Sequence, residues 1–273
     1  MRKSIALILV LGACSKPQPP APPTEVRAVR VDRLPDSPDD PAWVHAPVYP
    51  AGLQPQDVVE PRKMAAGTAE VRVQALTDGR AVAFRLRWKD AAPDTERRPA
   101  SFGDACAVQF PSAASTDLPS PMMGERGREV LITLWSAAAQ TAIETKGFGV
   151  KTLYPNSQID HYPFTAAPME KEPSAQADMA LRYAPAKAAG NPWPPEKPVT
   201  DLAAQGAGTL RPAPAVSSGT GRRESDGWLA VIVRPLPAGT SSVSFAVWDG
   251  GAEDAGPRKM WCPWVPLNLG GAP

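Results

Sequence analysis

The chain has 273 residues, with 29 Lys and Arg against 28 Asp and Glu, and 34 prolines. Removing residues 1–13 as a leader takes away Arg2 and Lys3 and leaves 27 bases against 28 acids, a formal charge of −1. That balance excludes nucleic-acid binding as the main task, and the density of proline excludes a fold built on long helices.

In chain order, Arg2 and Lys3 precede an apolar run from Ile5 to Leu11. This run is too short to cross a bilayer, which takes ~20 apolar residues. Leu11-Gly12-Ala13-Cys14 resembles a bacterial lipobox. The resemblance implies cleavage before Cys14 and lipid attachment there; the other reading is an ordinary secretion signal with an incidental Cys. Ser15, where many inner-membrane lipoproteins carry Asp, slightly favours the outer membrane. Residues 14–25 hold Pro17, Pro19, Pro20, Pro22 and Pro23 and read as a semi-extended tether. One domain, residues 26–270, follows, and ~250 residues can bury a single core.

Within that domain Ala69–Leu76 alternates apolar and polar residues. Thr77-Asp78-Gly79-Arg80 is a turn signal, and Ala81–Trp88 alternates again, so the two segments predict a hairpin. Further strands are expected at 105–110, 129–136, 227–234, 242–248 and 261–267. Residues 137–189 show little periodicity and read as a long insertion or set of loops, with short helical turns near 175–182. Residues 198–206 read as a short helix stopped by Gly206. The expected fold class is mainly β: an antiparallel β-sandwich with a few short helices in its loops.

The usual chemistries find little support. Only His45 and His161 exist, too few for a His-built metal site. No Gly-x-Ser-x-Gly elbow, phosphate loop or paired carboxylates stand out. Besides Cys14, the cysteines are Cys106 and Cys262, outside any CxxC, which argues against covalent haem and against a four-thiolate cluster. They bridge only if their Cα atoms lie within ~7 Å. Of the eight Trp, those at 88, 135, 228 and 248 sit in strands and read as core, while Trp193, Trp261 and Trp264 stand beside prolines and could line a cavity. Met122 and Met123, in a loop between Pro121 and Gly124, would by themselves be packing filler, and Lys259 by itself a surface lysine.

The order of several segments changes that reading. Residues 71–90 with the Leu-Thr-Asp-Gly turn and Trp88-Lys89-Asp90, Phe102–Pro111, Pro121–Gly124, Gly190-Asn191-Pro192, 199–210 and 243–267 together resemble the haem-binding gamma subunits of the ethylbenzene dehydrogenase type. Those subunits accompany molybdenum enzymes related to dimethyl sulfide dehydrogenase, chlorate reductase and selenate reductase. The resemblance implies a β-sandwich with one non-covalent haem b whose iron takes a Met on one side and a Lys on the other. The Met before a Gly maps to Met123, with Met122 as the fallback. The Lys maps to Lys259, since the neighbouring Arg258 cannot lose its proton. The implied protein is an electron-transfer subunit without a catalytic site. Its expected partners are iron–sulfur and molybdenum subunits, a periplasmic or membrane cytochrome, and the membrane through a lipid on Cys14. The competing reading is a lipid-anchored β-sandwich that binds carbohydrate through its Trp residues, without haem.

Overall fold

A computed structural model describes residues 22–96, 100–145, 154–156, 174 and 196–270. Its strands are β1 Val26–Arg30, β2 Tyr49–Gly52, β3 Gln54–Pro55, β4 Glu70–Thr77, β5 Ala81–Lys89, β6 Ala105–Pro111 and β7 Val130–Ser136. After helix α1, Ala137–Thr145, come β8 Val199–Ala204, β9 Arg211–Pro212, β10 Ser218–Arg223, β11 Gly227–Pro235, β12 Ser242–Trp248, β13 Met260–Trp261 and β14 Val265–Asn268. Short 3-10 turns occupy Pro41–His45 and Gly250–Ala252. No described helix is long and apolar enough to cross a membrane.

The strands join one mixed sheet in the order β10-β11-β5-β4-β1-β14-β12-β6-β7-β8-β9, with β2 beside β4 and β13 beside both β12 and β3. The mainly β expectation therefore holds. Pairing is antiparallel except at β1, which runs parallel to both β4 and β14 and joins the two halves of the sheet. The β4–β5 hairpin forms where the alternation predicts it, with Thr77 opposite Val82 and Val71 opposite Trp88. Its turn is held by Asp78 Oδ1, which accepts from the amides of Arg80 and Ala81 at 2.8 Å each.

The halves pack face to face. From the first come Val71, Val73, Phe84, Leu86 and Trp88; from the second Cys106, Val108, Phe110, Trp135, Phe245 and Val247. Phe84 meets Phe110 at 5.7 Å and Phe245 at 6.1 Å between ring centroids. Each fully buried Phe contributes roughly 1.5–3 kcal/mol over leaving it in water. Trp135 sits edge-on between Trp88 at 6.0 Å and Trp228 at 5.4 Å, so three of the strand tryptophans are core, as expected. Room for Trp135 comes from Gly221 on β10, where a Cβ would lie 2.3 Å from the indole.

Three local expectations are corrected. Residues 199–204 are not a helix but strand β8, paired with β7 from Val130–Ala204 to Trp135–Val199. The open edge of β7 recruits the segment, and a sheet partner outweighs weak local propensity; Gly206, at φ +113°, still ends the element. The first nine residues of the expected insertion form α1, whose Ala-rich run propagates a helix although it lacks a periodic apolar stripe; the turns expected near 175–182 lie outside the described residues. The strand expected at 261–267 is broken into β13 and β14, with Pro263, which has no amide to donate, between them.

Candidate cofactor cavity

Because side chains alternate along a strand, residues of β6 that do not enter the core emerge on the other face of the second half-sheet. These are Ala105, Ala107 and Gln109. Register places them beside Ser136, Leu134 and Ile132 of β7, and beside Trp248, Ala246 and Ser244 of β12. This face is not left to water: every residue of β6 is buried. It forms the floor of a cavity of about 830 Å³, also lined by Ala138 and Ala139 of α1 and Trp261 of β13. Cofactor sites span ~300–1,000 Å³. Three alanines across β6 and β12 keep the floor low, while Ile132 and Leu134 keep it apolar.

Met122, Met123 and Lys259 all line this cavity. Met123 is held by an unusual loop. Its backbone is left-handed at φ +68°, followed by Gly124 at φ +77°. A Cβ on Gly124 would lie 2.7 Å from the Arg128 carbonyl and 2.9 Å from that of Ala204, so only glycine lets the loop press against the strand ends. The Met123 carbonyl accepts from the Gly206 amide at 2.8 Å, and Gln109 Nε2 donates to the Pro121 carbonyl at 2.9 Å. The Met123 side chain packs on the cluster of Ala107, Val130, Ile132 and Ala204.

Lys259 stands at the other end of the floor. It immediately precedes β13, whose Met260 pairs with Val247, and its Nζ lies 5.2 Å from the centroid of the Trp248 ring. Ala105, opposite Trp248, and Gln109, below the Met loop, are four residues apart on β6, roughly 13 Å of strand. Among the described residues no carboxylate or carbonyl meets the Lys259 Nζ. Its partial exposure opens onto the cavity, and burial pushes its ammonium down to about 8. Trp261 Nε1 in the wall is likewise without a partner. By contrast Arg258 Nη2 donates to the Ala252 carbonyl at 3.3 Å, which ties it to the loop.

The loop carrying Lys259 is pinned from beneath. Lys63 and Asp254, 3% and 0% exposed, form an ion pair at 2.6 Å. The loop begins at Asp249, close to Asp90 and Asp104. Burial, and then the neighbouring Asp90, push the Asp104 carboxyl up to about 7; burial likewise raises Asp90.

Other expectations fall as follows. Trp248 is not core: it lines the cavity and stacks on Lys259. Of the tryptophans beside prolines, Trp261 is in the wall, Trp264 packs near Met123 with its Nε1 donating to the Pro119 carbonyl at 2.7 Å, and Trp193 lies outside the described residues. Cys106 and Cys262 are separate buried thiols, both raised by burial. His45 is exposed, whereas His161 and Cys14 lie outside the described residues. Missed in the sequence were the small residues of the floor, visible only as alanines alternating with Cys106 and Val108, and the aspartates around Asp104.

The fold and site thus define a mainly β protein with a cofactor-sized cavity on one outer face, lined by a thioether and an unpartnered amine. The family described as ethylbenzene dehydrogenase matches residues 22–259, and the chain belongs to it. Membership fits a subunit of a molybdenum oxidoreductase-type complex. No match is found among curated proteins.

Proposed function

We propose that the chain is an extracytoplasmic electron-transfer subunit that would hold one haem b in this cavity, with Met123 and Lys259 as the side chains that would ligate its iron and Met122 as the alternative thioether. The observation that carries the reading is that Met123 and an unpartnered Lys259, distant in sequence, line the same cavity from its two ends. A bound haem b supplies one-electron exchange between two iron oxidation states. The rest is set by the chain. Met123 offers a soft thioether, which favours the reduced metal. Lys259 binds metal only as the free amine, and burial has brought that form close to neutral pH. Ala105, Ala107 and Ala246 leave space for a planar ligand, while Ile132 and Leu134 exclude water.

Met123 and Lys259 would hold the iron, and a haem held by two side chains would supply electron relay in place of a catalytic site on this chain. Its partners in this reading are the iron–sulfur and molybdenum subunits and a periplasmic or membrane cytochrome. Cys14, lipidated, anchors it facing the periplasm, with the outer membrane favoured.

Absorbance spectra of the full chain loaded with haem test the proposal. The wild type gives a low-spin six-coordinate spectrum. Met123→Ala and Lys259→Ala each lose it, while Met122→Ala keeps it. Loss in Met122→Ala alone moves the thioether to Met122. Colourless protein that binds glycans returns the carbohydrate-binding alternative.

A further inference from the structure

We propose that Asp90, Asp104 and Asp249 form a binding site for one calcium-sized divalent cation, which clamps the loop leading to Lys259. The site lies outside the cavity and stands without the haem reading.

One carboxylate oxygen from each of the three residues lies within 4.8 Å of the others. Calcium takes oxygen ligands at ~2.4 Å, so oxygens 4.8 Å apart fit on opposite sides of one such ion. The charges are not otherwise met. Asp104 is fully buried and Asp90 is 7% exposed. Among the described residues one cation is near: Arg223 Nη1, 3.4 Å from Asp90 Oδ1. Lys63, the next, is committed to Asp254. One guanidinium against three clustered carboxylates leaves a buried negative excess, which proteins neutralise with a cation or with protons.

The hydrogen bonding also leaves a coordination position. Asp104 Oδ1 accepts from the Gly250 amide, and its Oδ2 from the Asp94 amide and Trp228 Nε1. Asp90 Oδ1 accepts from the Ala92 amide, but Asp90 Oδ2 is buried without any partner. Asp94 Oδ2 is buried and unpartnered as well, and it and Asp249 Oδ1 each lie 3.3 Å from where a Cβ on Gly251 would stand. Asp249 Oδ1 accepts from the Ala252 amide, so the oxygens without donors are Asp90 Oδ2 and Asp94 Oδ2; hard carboxylate oxygens such as these suit a hard cation rather than a soft metal. Asp249 begins the segment that ends at Lys259, so a cation here ties that segment to the strand ends.

Terbium titration of the purified full chain tests the site, because Trp228 touches Asp104 and sensitises a bound lanthanide. Saturable emission at one equivalent, displaced by calcium, with a calcium-dependent rise in Tm, is the expected result. Asp249→Asn and Asp90→Asn weaken binding by at least ~10-fold. No saturable emission, or a wild-type Tm indifferent to calcium, overturns the proposal and leaves protons as the neutralising species. Undiminished emission in both variants overturns it too, by placing the lanthanide elsewhere. Haem absorbance plays no part in these readouts, so failure here and failure of the haem reading are told apart.

Discussion

On β4 and β5 the residues that point away from the core include Glu70, Arg72, Gln74, Arg85, Arg87 and Lys89; on β6 and β7 they are Ala105, Ala107, Gln109, Ile132, Leu134 and Ser136. Both half-sheets obey the same alternation and share one core. The first covers Leu76, Ala83 and Val231 with Trp43 of the 3-10 turn and leaves the rest of its outer face charged, with Arg72 and Arg87 well exposed. The second turns outward a face of small and apolar residues and covers it with α1, the Met123 loop and the Lys259 loop. The difference teaches that a strand buried on both faces need not be sandwiched by a third layer. Small residues on the second face leave a ligand-sized space, and the loops above it supply the polar and ligating atoms.

The largest break of this asymmetry is to fill the second face. Ala107 lies mid-floor, so Ala107→Phe should lower haem affinity by more than about 100-fold, about 2.7 kcal/mol. Unfolding should change by less than about 2 kcal/mol, because the added ring enters the cavity rather than the core. Haem titration beside urea unfolding measures both. Normal affinity in this variant would remove the cavity from the haem reading.

A smaller effect, specific to the Lys259 end, is pH dependence. The folded amine titrates at about 8, below its ordinary 10.5. Below that value Lys259 carries a proton that must leave before it can bind iron, so affinity falls as pH falls. Between pH 8 and pH 6 the loss should be roughly fifty-fold if every protonated molecule is excluded. Haem titrations across this window read it, and Lys259→Ala should flatten the profile. A flat profile in the wild type would remove Lys259 from the iron.

The smallest change belongs to the other half-sheet. Arg72 is exposed and meets Glu70 at only 3.5 Å. Arg72→Ala should therefore move stability by no more than ~0.5 kcal/mol and leave haem affinity unaltered. A large loss of haem binding here would mean that the charged face also contributes to the site.

Much of the fold was legible in the sequence where local signals agree. The β4–β5 hairpin has alternation on both sides of an Asp-Gly turn, and β6, β7, β11 and β12 are rich in strand-forming residues. The 199–204 segment was misread because Leu-Ala-Ala followed by Gly suits a helix end; only the free edge of β7 makes it a strand. The two ligand candidates, Met123 and Lys259, came from the family resemblance, since a loop Met and a Lys are individually uninformative. Nothing local marks Ala105 and Ala107 as a cavity floor, and Asp90, Asp104 and Asp249 are too scattered in sequence to read as a cluster.

By itself, then, the sequence determined the strand class and the hairpin, because side-chain period and turn chemistry act over a few residues. Tertiary structure alone decided which face of β6 meets the core and which meets the cavity, since both faces are apolar and pattern cannot rank them. It also decided that Trp248 covers Lys259 instead of joining the core. The aspartates meet for the same reason: β5, β6 and β12 bring their ends together across long stretches of chain.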